Sequence, residues 1–215
     1  MERPFPESLC HLCAAPPKYV RTASSTFIRC PLLPDKYPRQ PVRHCDAFRP
    51  TALETARLKL RRMTLDDLDF LAALLGDAEV MRWYPKILTR DEARGWIERM
   101  LARYARDGHG LWLAVDKERG EPVGQIGLLA QPVEGVVEPE IAYLVHRPFW
   151  RQGYAAEAAA ATRDWAFARG LDHVISLIRP ENVASQAVAR TLGMAPTRHI
   201  DHAGLDHVIW RLDRR

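Results

Sequence analysis

The chain lacks any apolar run near the ~20 residues that span a bilayer, so a membrane partner is not expected. Its opening, "MERPFPESLCHLC", has no apolar core of a secretory signal, and a cytoplasmic location is expected. No internal repeat and no low-complexity linker interrupts it. No cysteine follows Cys45. Beyond residue 50 the chain also lacks an excess of charge. Residues 1–50 carry 8 Lys/Arg against 4 Asp/Glu, and the other 165 carry 23 of each. All of the +4 net charge, all four cysteines and 9 of the 16 prolines therefore lie in the first segment. That break divides the chain into a small, irregular cysteine-rich unit, 1–50, and a second unit, 53–215, with the boundary near "FRPTALETAR".

A proline-rich segment of this length buries little core and needs a staple to fold. In a reducing compartment four thiols favour metal over disulfides. Cys10 and Cys13 form a C-x-x-C pair, and Cys30 and Cys45 complete a tetrahedral structural zinc site. An iron–sulfur or redox role is the alternative, and His11 and His44 flank two of the cysteines as bystanders. The elements "CHLC", Cys30, "YPRQP" and Cys45 resemble a group of short bacterial four-cysteine proteins, a resemblance that implies no activity. Four thiolates and a zinc dication lower the basic charge to about +2. Nucleic acid is therefore not an expected partner, whereas a protein partner for this module stays open.

The second unit alternates strand and helix patterns. "RLKLRR" reads as a half-buried strand. Thr64 begins a helix with Leu65, Leu68, Leu71 and Leu75 on one face, ended by Gly76. Thr89 to Glu92 is a capping box opening a second helix with the stripe Ala93, Trp96, Ile97, Met100, Leu101 and Tyr104, stopped by Gly108. "LWLAV" and "PVGQIGLLA" read as a hairpin and "EIAYLV" as a strand. An alanine-rich helix, the strand "HVISLIRP", a short helix from Val183 to Leu192 and a final hairpin, "APTRHIDH" with "HVIWRL", complete a mixed α/β sheet.

One stretch carries most of the functional signal: "FWRQGYAAEAAAA", Phe149 to Ala161. A lone glycine between a bulky basic stretch and a run of alanines reads as a tight turn opening directly into a helix. The free amides at such a mouth bind anions; a closely packed surface turn is the other reading. The position of "WRQGYA" between strand and helix, and the order of elements, resemble the GNAT N-acetyltransferase superfamily, more narrowly the branch of the ribosomal-protein alanine N-acetyltransferases. The resemblance runs from about Leu53 to Leu212. Gly153 and Ala155 match the last fixed positions of the family's Q/R-x-x-G-x-G/A loop, and Trp150 departs from its first. Asn182, Ser185 and Gly193 carry the branch's N-x-x-S followed by G-F, with Met194 for the phenylalanine.

The resemblance implies a twisted mixed sheet of the GNAT acyltransferase type, acetyl-CoA as co-substrate and an amine as acceptor. The pyrophosphate is expected on the loop Arg151, Gln152, Gly153, Tyr154 and Ala155. Oxyanion-binding amides are expected near Leu144 and Val145, and Asn182 is expected on the pantetheine arm, where it also reads as a helix N-cap. The strands "EIAYLV" and "HVISLIRP" are expected to splay. Glu140 is the first candidate for the general base, ahead of Glu138 and Glu134 in the preceding loop "QPVEGVVEPE", which lie near it in sequence and suit a cationic amine. Where many relatives carry a tyrosine as general acid this chain has Ala189, leaving Ser185 to assist. Trp83 and Tyr84 are candidate walls of the acceptor site. A protein N-terminus, a polyamine, an amino sugar and a small amine drug all fit this description. The rival to an enzyme is a non-catalytic acyl-CoA sensor or adaptor whose zinc module binds a partner.

Overall fold

The computed structural model of the chain describes residues 5, 8, 13, 18–30, 37–42 and 51–214. Strands β1 (Lys18–Arg21) and β2 (Thr26–Arg29) pair as an antiparallel hairpin that buries Ile28. The described part of the N-terminal unit, expected to be irregular, therefore contains regular structure. The β-branched and aromatic residues of "KYVR" and "TFIR" suit a pleated pair.

Eight further strands form one sheet in the order β3-β4-β5-β6-β7-β8-β10-β9. They are β3 (Thr51–Glu54), β4 (Leu58–Arg61), β5 (Leu111–Asp116), β6 (Pro122–Val133), β7 (Val136–Val145), β8 (His173–Ile178), β9 (Ala195–His202) and β10 (Leu205–Asp213). Neighbours run antiparallel except β7 and β8, which are parallel. Every residue of β5 is buried, as a strand covered on both faces must be. On one face Trp112 meets Trp165 of α4 (Tyr154–Ala168), with ring centroids 5.2 Å apart. On the other, Trp96 of α3 (Arg90–Asp107) donates its indole N–H to Gln125 of β6 at 2.8 Å. The core is thus two helical layers on a mixed sheet, and the mixed sheet is the one the resemblance implied.

The first helix differs from expectation. Leu65–Asp67 form a single 3-10 turn, and α1 runs from Leu68 to Gly76. Asp67 folds back to accept the Thr64 N–H at 2.8 Å and is gripped by both terminal nitrogens of Arg61, at 2.8 and 2.6 Å. This pinned corner turns Leu65 outward, 44 % exposed, and the apolar face is Leu68, Leu71, Leu74 and Leu75. Asp77 caps a further short helix, α2 (Ala78–Met81), which the periodicity did not suggest. The Thr89–Glu92 capping box opens α3 as expected, and its buried stripe is Ala93, Ile97, Met100 and Tyr104, with Leu101 exposed. The short helix after β8 is α5 (Val183–Thr191).

The stretch "QPVEGVVEPE", expected as a loop, is the tip of a long hairpin. Val133 pairs with Val136, and between them Glu134 (φ 48°) and Gly135 (φ 86°) form a two-residue turn with both φ positive, the geometry that matches strand twist.

Candidate active site

Parallel strands β7 and β8 share a single register pair, Glu140 with Ile175, and part beyond it. In an antiparallel pair, successive residues turn their backbone groups to opposite sides. The His146 N–H bonds Val123 of β6 at 2.8 Å, and the register matches Gln125 with Leu144, so Leu144 also turns its N–H to β6. Ile141 and Val145 face the gap. The Ile141 carbonyl accepts from Ser176 Oγ at 2.7 Å, and the Val145 carbonyl from Trp150 Nε1 at 2.6 Å. Of the two amides expected to meet an oxyanion, the one on the open edge is therefore that of Val145. The Trp150 bond also gives a physical reason for tryptophan at the first loop position: it ties the loop to the strand.

The loop that follows is held from behind. Gly153 is the N-cap of α4 at φ 80°, a left-handed conformation that disfavours a Cβ. It offers no side chain to the first-turn amides, which are the orphan donors of any helix start. Arg57, between β3 and β4, donates Nη1 to the Gln152 carbonyl at 2.9 Å and Nε to Glu157 Oε2 at 2.6 Å. Thr55 Oγ1 and the Arg57 backbone N–H also reach Glu157, at 2.5 and 2.8 Å, and the Arg57 guanidinium lies 4.3 Å from the Tyr154 ring centroid. Tyr154 donates to Asp116 at 2.6 Å. These bonds hold the Glu157 carboxyl below its usual range against its partial burial. Sequence reasoning missed this clamp. Its only trace there is "TAR" two residues into the second unit.

A cleft of about 730 Å³ opens along this edge, lined by Leu144, Val145, Arg151, Gly153, Tyr154, Ala155, Asn182 and Ser185 among others. Gln152 is not in its lining; its side chain turns back to the Pro148 carbonyl at 2.9 Å. Arg151 adopts a positive φ of 60° and makes no ion pair among the described residues. Asn182 caps α5 by accepting the Ser185 N–H at 3.1 Å through Oδ1, which leaves its Nδ2 donor without a protein partner among the described residues. Ala189, where many relatives carry tyrosine, is fully buried.

A second cavity of about 530 Å³ adjoins the first, and the two share Trp83, Tyr84, Tyr143, Leu144, Asn182 and Ser185. Glu140 lines the second cavity, 9 % exposed. Burial pushes its carboxyl up from 4.5 to about 7, although the Leu177 N–H bond and the Arg103 charge oppose the rise. Tyr84 lines both cavities, and burial and the nearby Glu140 push its hydroxyl up to about 12. Tyr143 donates to the Ser185 carbonyl at 2.8 Å, and burial raises its hydroxyl far above the usual phenol range.

The expected acidic cluster is not there. Glu134 sits at the hairpin tip, 2.6 Å from Arg198, and Glu138 is 2.6 Å from His173 Nε2. Strand geometry separates Glu134 from Glu140 by roughly 20 Å, and of the three only Glu140 lines the cavity. The cysteine site stands differently. Cys10 and Cys45, like His11 and His44, lie outside the described residues. Cys13 is buried and Cys30 half-buried, and among the described residues no group of three or more His, Cys, Asp or Glu could hold a metal.

The profile described as "Acetyltransferase (GNAT) domain" matches residues 57–195, well over half of the chain. The chain belongs to the GNAT acetyltransferase family. It is an acyltransferase, and acetyl-CoA is the co-substrate of this fold. The chain is 36% identical over 146 residues to the uncharacterized protein YkkB of Bacillus subtilis, covering 67% of this chain and 85% of that protein. Among solved structures, an acetyltransferase from Agrobacterium tumefaciens aligns at TM-score 0.66 and 29% identity, over 82% of this chain and 100% of that one. The ribosomal L7/L12 α-N-protein acetyltransferase RimL, solved with coenzyme A, shares the fold at TM-score 0.62 and 19% identity, over 74% of this chain and 95% of that one. No helix among the described residues is long and apolar enough to cross a membrane.

Proposed function

We propose that this GNAT enzyme transfers the acetyl group of acetyl-CoA to a primary amine by direct attack, with Glu140 as general base. The observation that carries the reading is the position of Glu140. It is a buried carboxyl in the wall of the second cavity, with its affinity for protons raised to neutrality, where the strands part. A base whose pKa matches the working pH combines a deprotonated fraction with real driving force for proton removal.

In the step itself the amine nitrogen forms a bond to the thioester carbonyl carbon, and the amine proton passes to the Glu140 carboxylate. The tetrahedral oxyanion is met by the Val145 N–H on the open edge of β7. Its collapse breaks the C–S bond and releases a thiolate, a good leaving group because free thiols ionise near pH ~8–9. Ser185 Oγ, at the boundary of both cavities, is assigned as a donor to the departing sulfur. The Gly153, Tyr154 and Ala155 amides and the start of α4 receive the pyrophosphate, with Arg151 beside them. Asn182 Nδ2 bonds the pantetheine arm. Release of free thiol from acetyl-CoA on addition of primary amines tests the assignment, and a protein that binds acetyl-CoA but acetylates no amine refutes it. The rival reading, a non-catalytic sensor or adaptor, has only the alanine at position 189 in its favour, and the buried carboxyl of Glu140 speaks against it.

For the N-terminal unit the proposal is one structural zinc held by Cys10, Cys13, Cys30 and Cys45, in a protein that works in the cytoplasm. The spacing of the cysteines supports the metal, and the buried position of Cys13 is compatible with it. Elemental analysis of chelator-free protein is expected to find about one zinc per chain; iron, or no metal, refutes the assignment.

A further inference from the structure

The charge inside the second cavity is the reverse of what a cationic acceptor needs. Its lining carries Lys86, Arg99, Arg103 and Arg179 against one carboxylate, Glu140. Two of the cations already have acidic neighbours: Lys86 pairs with Glu92, and Arg179 stands 3.8 Å from Glu181. Arg99 and Arg103 stand apart, although Arg103 feels the charges of Glu140 and Asp107. Among the described residues neither forms an ion pair; Arg103 donates Nη1 to the Ala130 carbonyl at 2.9 Å, and Arg99 lies 5.3 Å from the Trp96 ring centroid. They stand four residues apart on α3, which stacks them on one helix face. Like charges at that spacing repel one another.

Glu140 reaches the same cavity from β7. Its register partner Leu129 places it on the sheet face that α3 covers, the face from which Gln125 meets Trp96. An acceptor entering here meets a proton acceptor at one end and two guanidinium groups on the α3 wall. Trp83, Met100 and Leu129 supply apolar surface to the same cavity.

We infer that the acceptor of this enzyme is a small primary amine that also carries an anionic group, a carboxylate or a phosphate, with the amine at Glu140 and the anion on the Arg99–Arg103 face of α3. The inference rests on the acetyl-transfer reading above and narrows it. Guanidinium groups suit both anions, because their planar fork matches carboxylate and phosphate oxygens in pairs. Polyamines are disfavoured. They would bring further positive charge to a wall already rich in it, and the single carboxylate is needed as a base.

The test uses the full chain with acetyl-CoA and follows thiol release. The amines are amino acids with apolar side chains, aminoalkyl phosphates, the corresponding amino-acid methyl esters and amides, and spermidine. The expected result is a kcat/KM at least tenfold higher for an anionic acceptor than for its ester or amide, the size of a charge-assisted hydrogen bond. Arg99→Gln, at an exposed position away from the base, is expected to erase most of that preference by raising KM for the anionic acceptor. KM for acetyl-CoA is expected to stay unchanged. Whichever anion loses more in this variant, carboxylate or phosphate, is the one the site selects. Equal or better turnover of esters, amides or spermidine overturns the inference while leaving acetyl transfer intact. Binding of acetyl-CoA with no turnover of any amine overturns the transfer reading and this inference with it.

Discussion

Glu140→Gln separates what burial does to this side chain from what the side chain does to a substrate. The substitution keeps the size and an oxygen able to accept the Leu177 N–H, and removes the titrating group. A displacement from 4.5 to about 7 corresponds to about 3 kcal/mol. Its sign is fixed by linkage. The folded protein holds the proton more tightly than the unfolded chain, so this stabilisation is fully present below 4.5. It is lost as pH rises through about 7. Between about pH 5.5 and about pH 8 the wild type should lose about 2 kcal/mol that the variant, with nothing to titrate, does not lose. Urea denaturation of both proteins at the two pH values measures it, and the difference between the two comparisons cancels every other titrating group.

Activity should move the other way. Turnover near neutrality should fall roughly 10²–10⁴-fold, the usual range for a lost general base. The inflection near pH 7 in the wild-type kcat/KM profile, where the rate rises as Glu140 loses its proton, should disappear. The deficit should narrow at higher pH, where more of the amine is already unprotonated. Affinity for acetyl-CoA should persist, because the loop proposed to bind the pyrophosphate lies beyond the far end of β7. A variant stabilised equally at both pH values would refute the raised proton affinity. A variant as active as wild type near neutrality would remove Glu140 from the chemistry.

Two further outcomes concern the loop. Gly153→Asp puts a negative charge and a side chain at a left-handed position where pyrophosphate approaches, so calorimetry should find coenzyme A binding abolished in a folded protein; unchanged affinity would refute the anion site. Arg57→Gln removes the guanidinium ties to both Gln152 and Glu157. For a half-exposed, charge-assisted pair an effect of about 1–2 kcal/mol is expected, raising KM for acetyl-CoA roughly five- to thirtyfold with kcat at saturation unchanged. Arg57→Lys should not restore it, because a single ammonium cannot reach both partners in the guanidinium's fork geometry; equal loss in kcat and KM would assign Arg57 to the fold instead.

What was legible in the sequence was local. The Thr89–Glu92 box, the αL glycine before the alanine run and the Asn182 cap are short-range devices whose chemistry is written in adjacent residues, and each stands where it was read. Charge was misread because it is a tertiary property. Glu134, Glu138 and Glu140 are close in sequence, but the first sits in the hairpin turn and the others along β7, and the first two find Arg198 and His173. The cations that define the second cavity come from three separated segments, around Lys86, along α3 and at Arg179. Likewise, Arg57 meets Glu157 across one hundred residues, and no spacing rule spans that distance. Leu65 failed for a subtler reason. Its period was right, but the Asp67–Arg61 pair fixed a corner where a helical turn was expected.

The site depends on β7 presenting two different things at once, and its register is what keeps them apart. Odd-numbered residues from Ile141 to Val145 turn backbone groups to the gap, while Glu140 and Leu144 point side chains at the face under α3. A slip of one residue exchanges every side chain between faces. It would carry Glu140 out of the second cavity and turn the Val145 amide into the sheet. The turn at Glu134 and Gly135 fixes the register at one end of the strand. At the other, Gly124 lies so close to β7 that a Cβ there would stand 2.3 Å from the Leu144 carbonyl oxygen, and a residue slipped into its place would clash. Between these two stops β7 pairs along its whole length with β6 and at a single position with β8. The gap proposed to admit the thioester is therefore the open side of a strand whose other side is locked.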